Sequence, residues 1–172
     1  ICYMGCCNQT YSGDTVIDDD KFDISDFIFI TRVFDKTIHS ILMKLIQKQV
    51  IHFNYRKSND ESKYRVSFKE LNHISSKEGN LSPKVDIPGE KSSGHFVKEC
   101  GSFEEAQNLH RYLSSKLVSF FNYITRYNSV LHNRMIGRIS IPDLTRTWTD
   151  KELYAHFGLT EEEIRYIEEQ VK

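Results

Sequence analysis

Two groups of residues in this chain have the types and spacing of a nucleic-acid reader, and a third has the outline of a metal site. Arg56, Lys57, Lys63 and Arg65 are interleaved with Tyr55 and Tyr64. Lysine and arginine supply phosphate contacts, arginine reads guanine bidentately, and a two-stranded ribbon carrying them fits the major groove. The same pattern also describes an ordinary basic sheet face. TRYNSVLHNR (125–134) places Arg126, Asn128, Asn133 and Arg134 at the end of a helical segment, with Arg138 just beyond. Asparagine and arginine read base edges, although they also commonly end helices. The third group is Glu61-Ser62-Lys63, an E-x-K that holds a divalent metal when an aspartate lies upstream, as Asp35 does. With 27% charged residues, such a triplet arises easily by chance.

Other chemistries find little purchase. GxxxxGK[ST], GxGxxG, HExxH and G-x-S-x-G do not occur. The seven histidines are scattered singly, and His39 on an amphipathic helix reads as core-edge packing. Cys2, Cys6, Cys7 and Cys100 form no C-x-x-C pair, so a zinc site is not expected. Free thiols in a reducing cytoplasm are expected.

The elements that would position these residues follow from composition and period. The chain has 172 residues, 39% hydrophobic and 12% aromatic, enough for a globular core. No apolar run approaches the ~18 residues of a membrane span. The opening ICYMGCCNQT lacks the basic and apolar regions of a signal peptide, and a start on Ile1 is expected of a piece of something longer. The net charge of −1 hides a segregation. Residues 1–30 set Lys21 against six aspartates, net −5, and residues 31–69 carry net +6. Residues 111–146 carry net +5, and the tail from 150 carries net −4. Two basic blocks between acidic ends fit a polyanion surface, with a solvated charged face as the competing account.

DFIFITRVF (26–34) reads as a strand, being β-branched and aromatic. Residues 35–50 place Ile38, Ile41, Leu42, Leu45 and Ile46 at helical spacing, with Lys36, Lys44 and Lys48 on the wet side. Residues 50–57 and 63–71 both alternate, and the link SNDES predicts a hairpin. Its polar face would hold His52, Asn54, Arg56, Arg65, Ser67 and Lys69. Residues 72–93 have no period and are broken by Gly79, Pro83, Pro88 and Gly89. Lys91 lies in this loop. GHFVKEC (94–100) reads as a further strand. Ser102 with Glu105 predicts a capping box opening one long helix to about Tyr127.

TWTDKELYAHFGLTEEEIRYIEEQVK (147–172) is punctuated more heavily than any other stretch. Thr149 with Glu152 and Thr160 with Glu163 are two capping boxes. Trp148 with Leu153, and Leu159 with Ile164, sit at staple positions, and Gly158 is a natural helix stop. The spacing predicts a helical hairpin. Its net negative charge makes it a poor phosphate binder and favours a structural cap docked by Trp148, Tyr154 and Phe157, with partner binding as the sharper alternative.

The run from Phe103 to Lys116, followed by IPDLTRTWTDKELYAHFGLTEEEIRYIEE, resembles the C-terminal signature of adenine-N6 DNA methyltransferases of restriction–modification systems, including those of phages and mobile elements. The matching positions are Phe103, Ala106, Asn108, Tyr112, Leu113, Ser115 and Lys116. They continue through Pro142, Asp143, Trp148 to Asp150, Glu152 to Tyr154, Phe157 to Thr160, and Glu162 to Ile164. The resemblance covers about residues 87–170. It implies a target-recognition region in the cytoplasm, with double-stranded DNA as partner and a methyltransferase core in the same or another chain. The family's Asn/Asp-Pro-Pro-Tyr/Phe loop and its Gly-containing S-adenosylmethionine turn are not present. No catalytic residue, metal or cofactor is therefore expected in this segment, and S-adenosylmethionine belongs to an attached core.

The resulting expectation is an α+β fold: a small mixed or antiparallel sheet, a long helix and a C-terminal helical hairpin. Residues 1–146 would form the DNA-recognition domain, with 147–172 packed on it. DNA contacts are expected from Lys44, Lys48, Arg56, Lys57, Lys63, Arg65, Lys91, Arg126, Asn128, Arg134 and Arg138. The rival readings are a magnesium-dependent endonuclease using Asp35, Glu61 and Lys63, and a protein-interaction domain using the acidic ends.

Overall fold

The structure, a computed structural model, describes residues 36–46, 54–55, 60–68, 81–92, 94, 96–125 and 137–171. The strand expected at 26–34 lies outside them. The fold is α+β. Its helices are α1 (Lys36–Leu45), α2 (Phe103–Leu113), α3 (Lys116–Thr125), α4 (Asp150–His156) and α5 (Glu161–Gln170). Its strands are β1 (Asn54–Tyr55), β2 (Tyr64–Phe68), β3 (Lys84–Asp86) and β4 (Phe96–Cys100). The sheet is antiparallel in the order β1-β4-β2-β3.

That order corrects the expected hairpin. β1 and β2 are not neighbours, because β4 lies between them and pairs with both. Alternation tells which side chains share a face; it does not tell which strand lies alongside. β4 matches β2 over five register pairs, from Tyr64↔Cys100 to Phe68↔Phe96. β3, inside the stretch expected to be loop, takes the other edge of β2. The face of β2 expected to be wet is dry: Arg65 and Ser67 are as buried as Val66 and Phe68.

The long helix is also corrected. It breaks at Ser114 and Ser115 into α2 and α3. Ser114 closes α2, its N–H meeting the His110 carbonyl at 3.0 Å. The Ser115 hydroxyl then accepts from the Val118 N–H at 3.3 Å, a serine cap for the next helix. Serine competes with the helical ladder through such local bonds, which is why it sits at the break. The capping box expected at Ser102 is half formed. Ser102 accepts from the Glu105 N–H, but the Glu105 carboxylate turns to the Gly101 N–H.

Both boxes of the C-terminal hairpin form in full. Between them Gly158, at φ +63°, gives α4 a Schellman end. Its N–H bonds to the Ala155 carbonyl, and the Leu159 N–H bonds to that of Tyr154. One core cluster gathers Ile41 and Leu45 of α1, Phe68 and Phe96 of the sheet, Phe120 of α3, and Leu153 and Ile167 of the hairpin. Tyr154 of the hairpin is buried, while Trp148 and Phe157 pack half-buried against the cluster.

Two glycines separate two kinds of cost. A Cβ on Gly158 meets nothing within 4 Å, so Gly158→Ala is expected to cost only the left-handed backbone strain, about 1 kcal/mol. A Cβ on Gly94 would lie 2.4 Å from the Phe68 nitrogen, and backbone cannot swing aside. In thermal unfolding Gly94→Ala should therefore lower Tm more than Gly158→Ala, whose shift should be about 2–4 °C.

Candidate nucleic-acid interface

The structure describes five of the eleven residues expected to touch DNA: Lys44, Lys63, Arg65, Lys91 and Arg138. Lys48, Arg56, Lys57, Arg126, Asn128 and Arg134 lie outside the described residues, as does Asp35 of the E-x-K group.

Lys44 lies in the last turn of α1, where a cation suits the helix dipole. It does not point free into water. Its Nζ donates to Glu163 Oε2 at 2.6 Å and to the Gly158 carbonyl at 3.0 Å. Glu163 is the capping glutamate of α5, and it also accepts from Ser40 Oγ at 2.6 Å and from the Thr160 N–H at 2.7 Å. Burial opposes ionisation of Glu163, yet the bonds from Lys44, Ser40 and Thr160 outweigh it and hold its pKa at about 2.

Lys63 pairs with Glu99 Oε2 at 2.9 Å and stands 3.8 Å from Asp60 Oδ2. The bond to Glu99 raises the ammonium pKa and lowers that of the carboxylate. Glu61, the other half of the E-x-K, is exposed.

Arg65 and Arg138 require correction as DNA contacts, since both are wholly buried. Arg65 sits in the central strand, opposite Asp86 on one side and Glu99 on the other. Its Nη2 donates to the carbonyls of Ile87 at 3.1 Å and Glu90 at 2.6 Å. A buried guanidinium needs such acceptors, and these anchor the 87–90 turn instead of a phosphate. Arg138 precedes Ile139, which bridges Ile46 at the end of α1. Lys91 is exposed and, alone among the five, makes no hydrogen bond or ion pair within the described residues.

Further cationic residues are exposed elsewhere. Arg146 is exposed and stacks over the Trp148 ring at 4.0 Å. Trp148 Nε1 donates to the Asp143 carbonyl at 2.6 Å, and His156 lies on the ring at 4.8 Å. Arg111, exposed on α2, donates from Nη1 to Thr147 Oγ1 at 2.8 Å. Lys151 is exposed in the first turn of α4. The spacing R-T-W in a chain with one tryptophan was the signal available for this group.

Several positions that carry the methyltransferase resemblance hydrogen-bond the 140–147 connector or the hairpin. Asn108 Nδ2 donates to the Leu144 carbonyl at 2.9 Å, and its Oδ1 accepts from Thr147 at 2.8 Å. Tyr112 donates to the Ser140 carbonyl at 2.6 Å. The Lys116 N–H donates to Asp150 Oδ1 at 3.1 Å, and its ammonium pairs with Glu168, which also accepts from Tyr154 at 2.8 Å. Burial raises the Asp150 pKa against the bond from Lys116, whereas the Lys116 ammonium lowers that of Glu168. At the end of β4, burial pushes the Cys100 thiol up to about 12, which keeps it protonated at neutral pH.

No family model, curated protein or solved structure matches the chain. Among the described residues no helix is long and apolar enough to cross a membrane, and no three His, Cys, Asp or Glu side chains group as metal ligands.

Glu163 gives a pH test of the α1–α5 tie. A depressed carboxylate pKa stabilises the fold above the unfolded value of 4.5 and loses that contribution as pH falls toward about 2. Glu163→Gln should cost roughly 1.5–3 kcal/mol at pH 7. In urea unfolding at stepped pH, the gap between variant and parent should narrow steadily below about pH 4.5; a gap of constant size would show that the charge is not what binds α1 to α5.

Proposed function

We propose that this chain is the DNA-binding, target-recognition portion of a restriction–modification adenine-N6 DNA methyltransferase. The observation that carries the reading is the connectedness of the resembling positions. Lys116 bonds Asp150 and Trp148 bonds the Asp143 carbonyl, Thr149 with Glu152 and Thr160 with Glu163 form capping boxes, and Asn108 and Tyr112 bond the 140–144 connector that leads to the hairpin. Bonds that tie α2 and α3 to the connector and the hairpin support the reading beyond good helix capping alone. The two basic blocks add electrostatic support.

In this reading Lys91 and the basic residues outside the described set, Lys48, Arg56, Lys57, Arg126 and Arg134, meet phosphates, and Asn128 reads a base edge. The buried Arg65 and Arg138 hold the scaffold. A methyltransferase core, fused or separate, supplies S-adenosylmethionine and flips the adenine for methyl transfer to N6. The acidic hairpin braces α1 and α3 and takes no part in base contact.

Fluorescence anisotropy with a pool of duplex DNAs across a salt series tests the reading. Affinity should fall steeply with salt, by about 0.9 in log–log slope per phosphate contacted, and some sequences should outlast others. Absence of binding at low salt overturns it.

A further inference from the structure

The start of α2 and the 141–145 connector enclose an open cleft of about 490 Å³, a size that suits a ligand site. It is lined by the apolar residues Ile141, Pro142 and Leu144 and by three acids, Glu104, Glu105 and Asp143. No lysine, arginine or histidine lines it among the described residues. The connector wall is pinned in place. The Ser140 carbonyl accepts from Tyr112, the Asp143 carbonyl from Trp148 Nε1, and the Leu144 carbonyl from Asn108 Nδ2. A wall held this way loses little freedom when something binds against it.

The acids exceed what the fold itself uses. Asp143 accepts from the Thr145 N–H and hydroxyl, and Glu105 from the Gly101 N–H at 2.6 Å. These donors are neutral and leave both charges in place, and the bonds from Thr145 lower the Asp143 pKa. Glu104 is exposed and makes no hydrogen bond or ion pair among the described residues. The amino end of α2 carries the equivalent of only about +0.5 charge, too little to balance three carboxylates. Arg146 also draws on Asp143, but it is paired with Glu152. Phe103, set between the rim residues Ser102 and Glu104, is 45% exposed, with its ring centroid 5.6 Å from that of Tyr64. It adds an aromatic face beside the acids.

We propose that this cleft docks a basic segment of a partner protein, one in which an arginine or lysine adjoins an apolar side chain. The cationic head meets Glu104, Glu105 and Asp143. Its aliphatic stem and the apolar neighbour lie on Ile141, Leu144 and Phe103. The same acids repel a phosphate-bearing ligand, so this surface is separate from any that meets DNA. Docking here is independent of DNA binding, and either can fail without the other.

The probe is a short peptide alternating leucine and arginine, titrated into the full chain labelled at its isoleucine and leucine methyl groups and followed by NMR. A peptide alternating leucine and glutamate is the control. The Ile141 and Leu144 resonances should shift saturably with the first peptide at low salt and stay in place with the second. Glu104→Lys breaks no hydrogen bond or ion pair among the described residues, and circular dichroism verifies its fold. It should weaken peptide binding about fivefold, and Glu104→Gln by less. Unmoved resonances at low salt, or equal affinity in the parent and Glu104→Lys, overturn the site. Equal shifts with spermine at the same concentration overturn the peptide assignment and leave a polyamine site. Shifts that appear on concentrating the chain alone overturn the foreign partner and make the occupant a second copy.

Discussion

The Glu163 carboxylate performs three tasks at once. It completes the capping box of its own helix, neutralises Lys44 and accepts from Ser40. Two elements more than a hundred residues apart in sequence, α1 and α5, are thereby fixed to each other, and α1 can keep Ile38, Ile41, Leu42 and Leu45 dry. Removing one partner would leave the other half-buried and charged, the costly way to break such a pair. Glu168 and Asp150 repeat the arrangement against Lys116 at the start of α3. The hairpin is therefore bolted at both of its helices.

These bolts also explain part of the charge pattern. The acidic tail and the basic blocks before it are, in part, partners of each other: Glu163 with Lys44, Glu168 with Lys116, and Glu152 with Arg146. Segregation of charge along a chain is thus a mixed signal, since some of it is consumed within the fold. What faces outward is a smaller set, with Lys91, Arg111 and Lys151 among it.

How much of this was legible depended on the range of the interaction that set each feature. The two capping boxes of the hairpin, the Gly158 stop and the α1 stripe are written within a few residues, and the structure has them where the sequence placed them. Strand partners are not local, and the alternation of β2 gave no hint that β4 and not β1 lies beside it. The break at Ser114 and Ser115 was read as continuous helix, and it is completed by Asp150, which accepts from the Lys116 N–H 34 residues away. Arg65 and Arg138 misled because arginine is usually a surface residue. Their burial depends on what other segments bring against them, as the carbonyls of Ile87 and Glu90 are brought to Arg65. Trp148 was read as a helix staple, whereas its ring also carries Arg146 and His156.

The distance between Lys44 and Glu163 along the chain, 119 residues, also sets the order in which the molecule can assemble. On the ribosome α1 is made long before its partner helix, and its apolar stripe has nothing to seal it from that side until α5 has followed. Contacts this far apart in sequence are slow to close, and a nascent chain paused in between would display the α1 stripe to chaperones or to other nascent chains. Synthesis speed between these two helices is thus a quantity on which the yield of folded protein should depend.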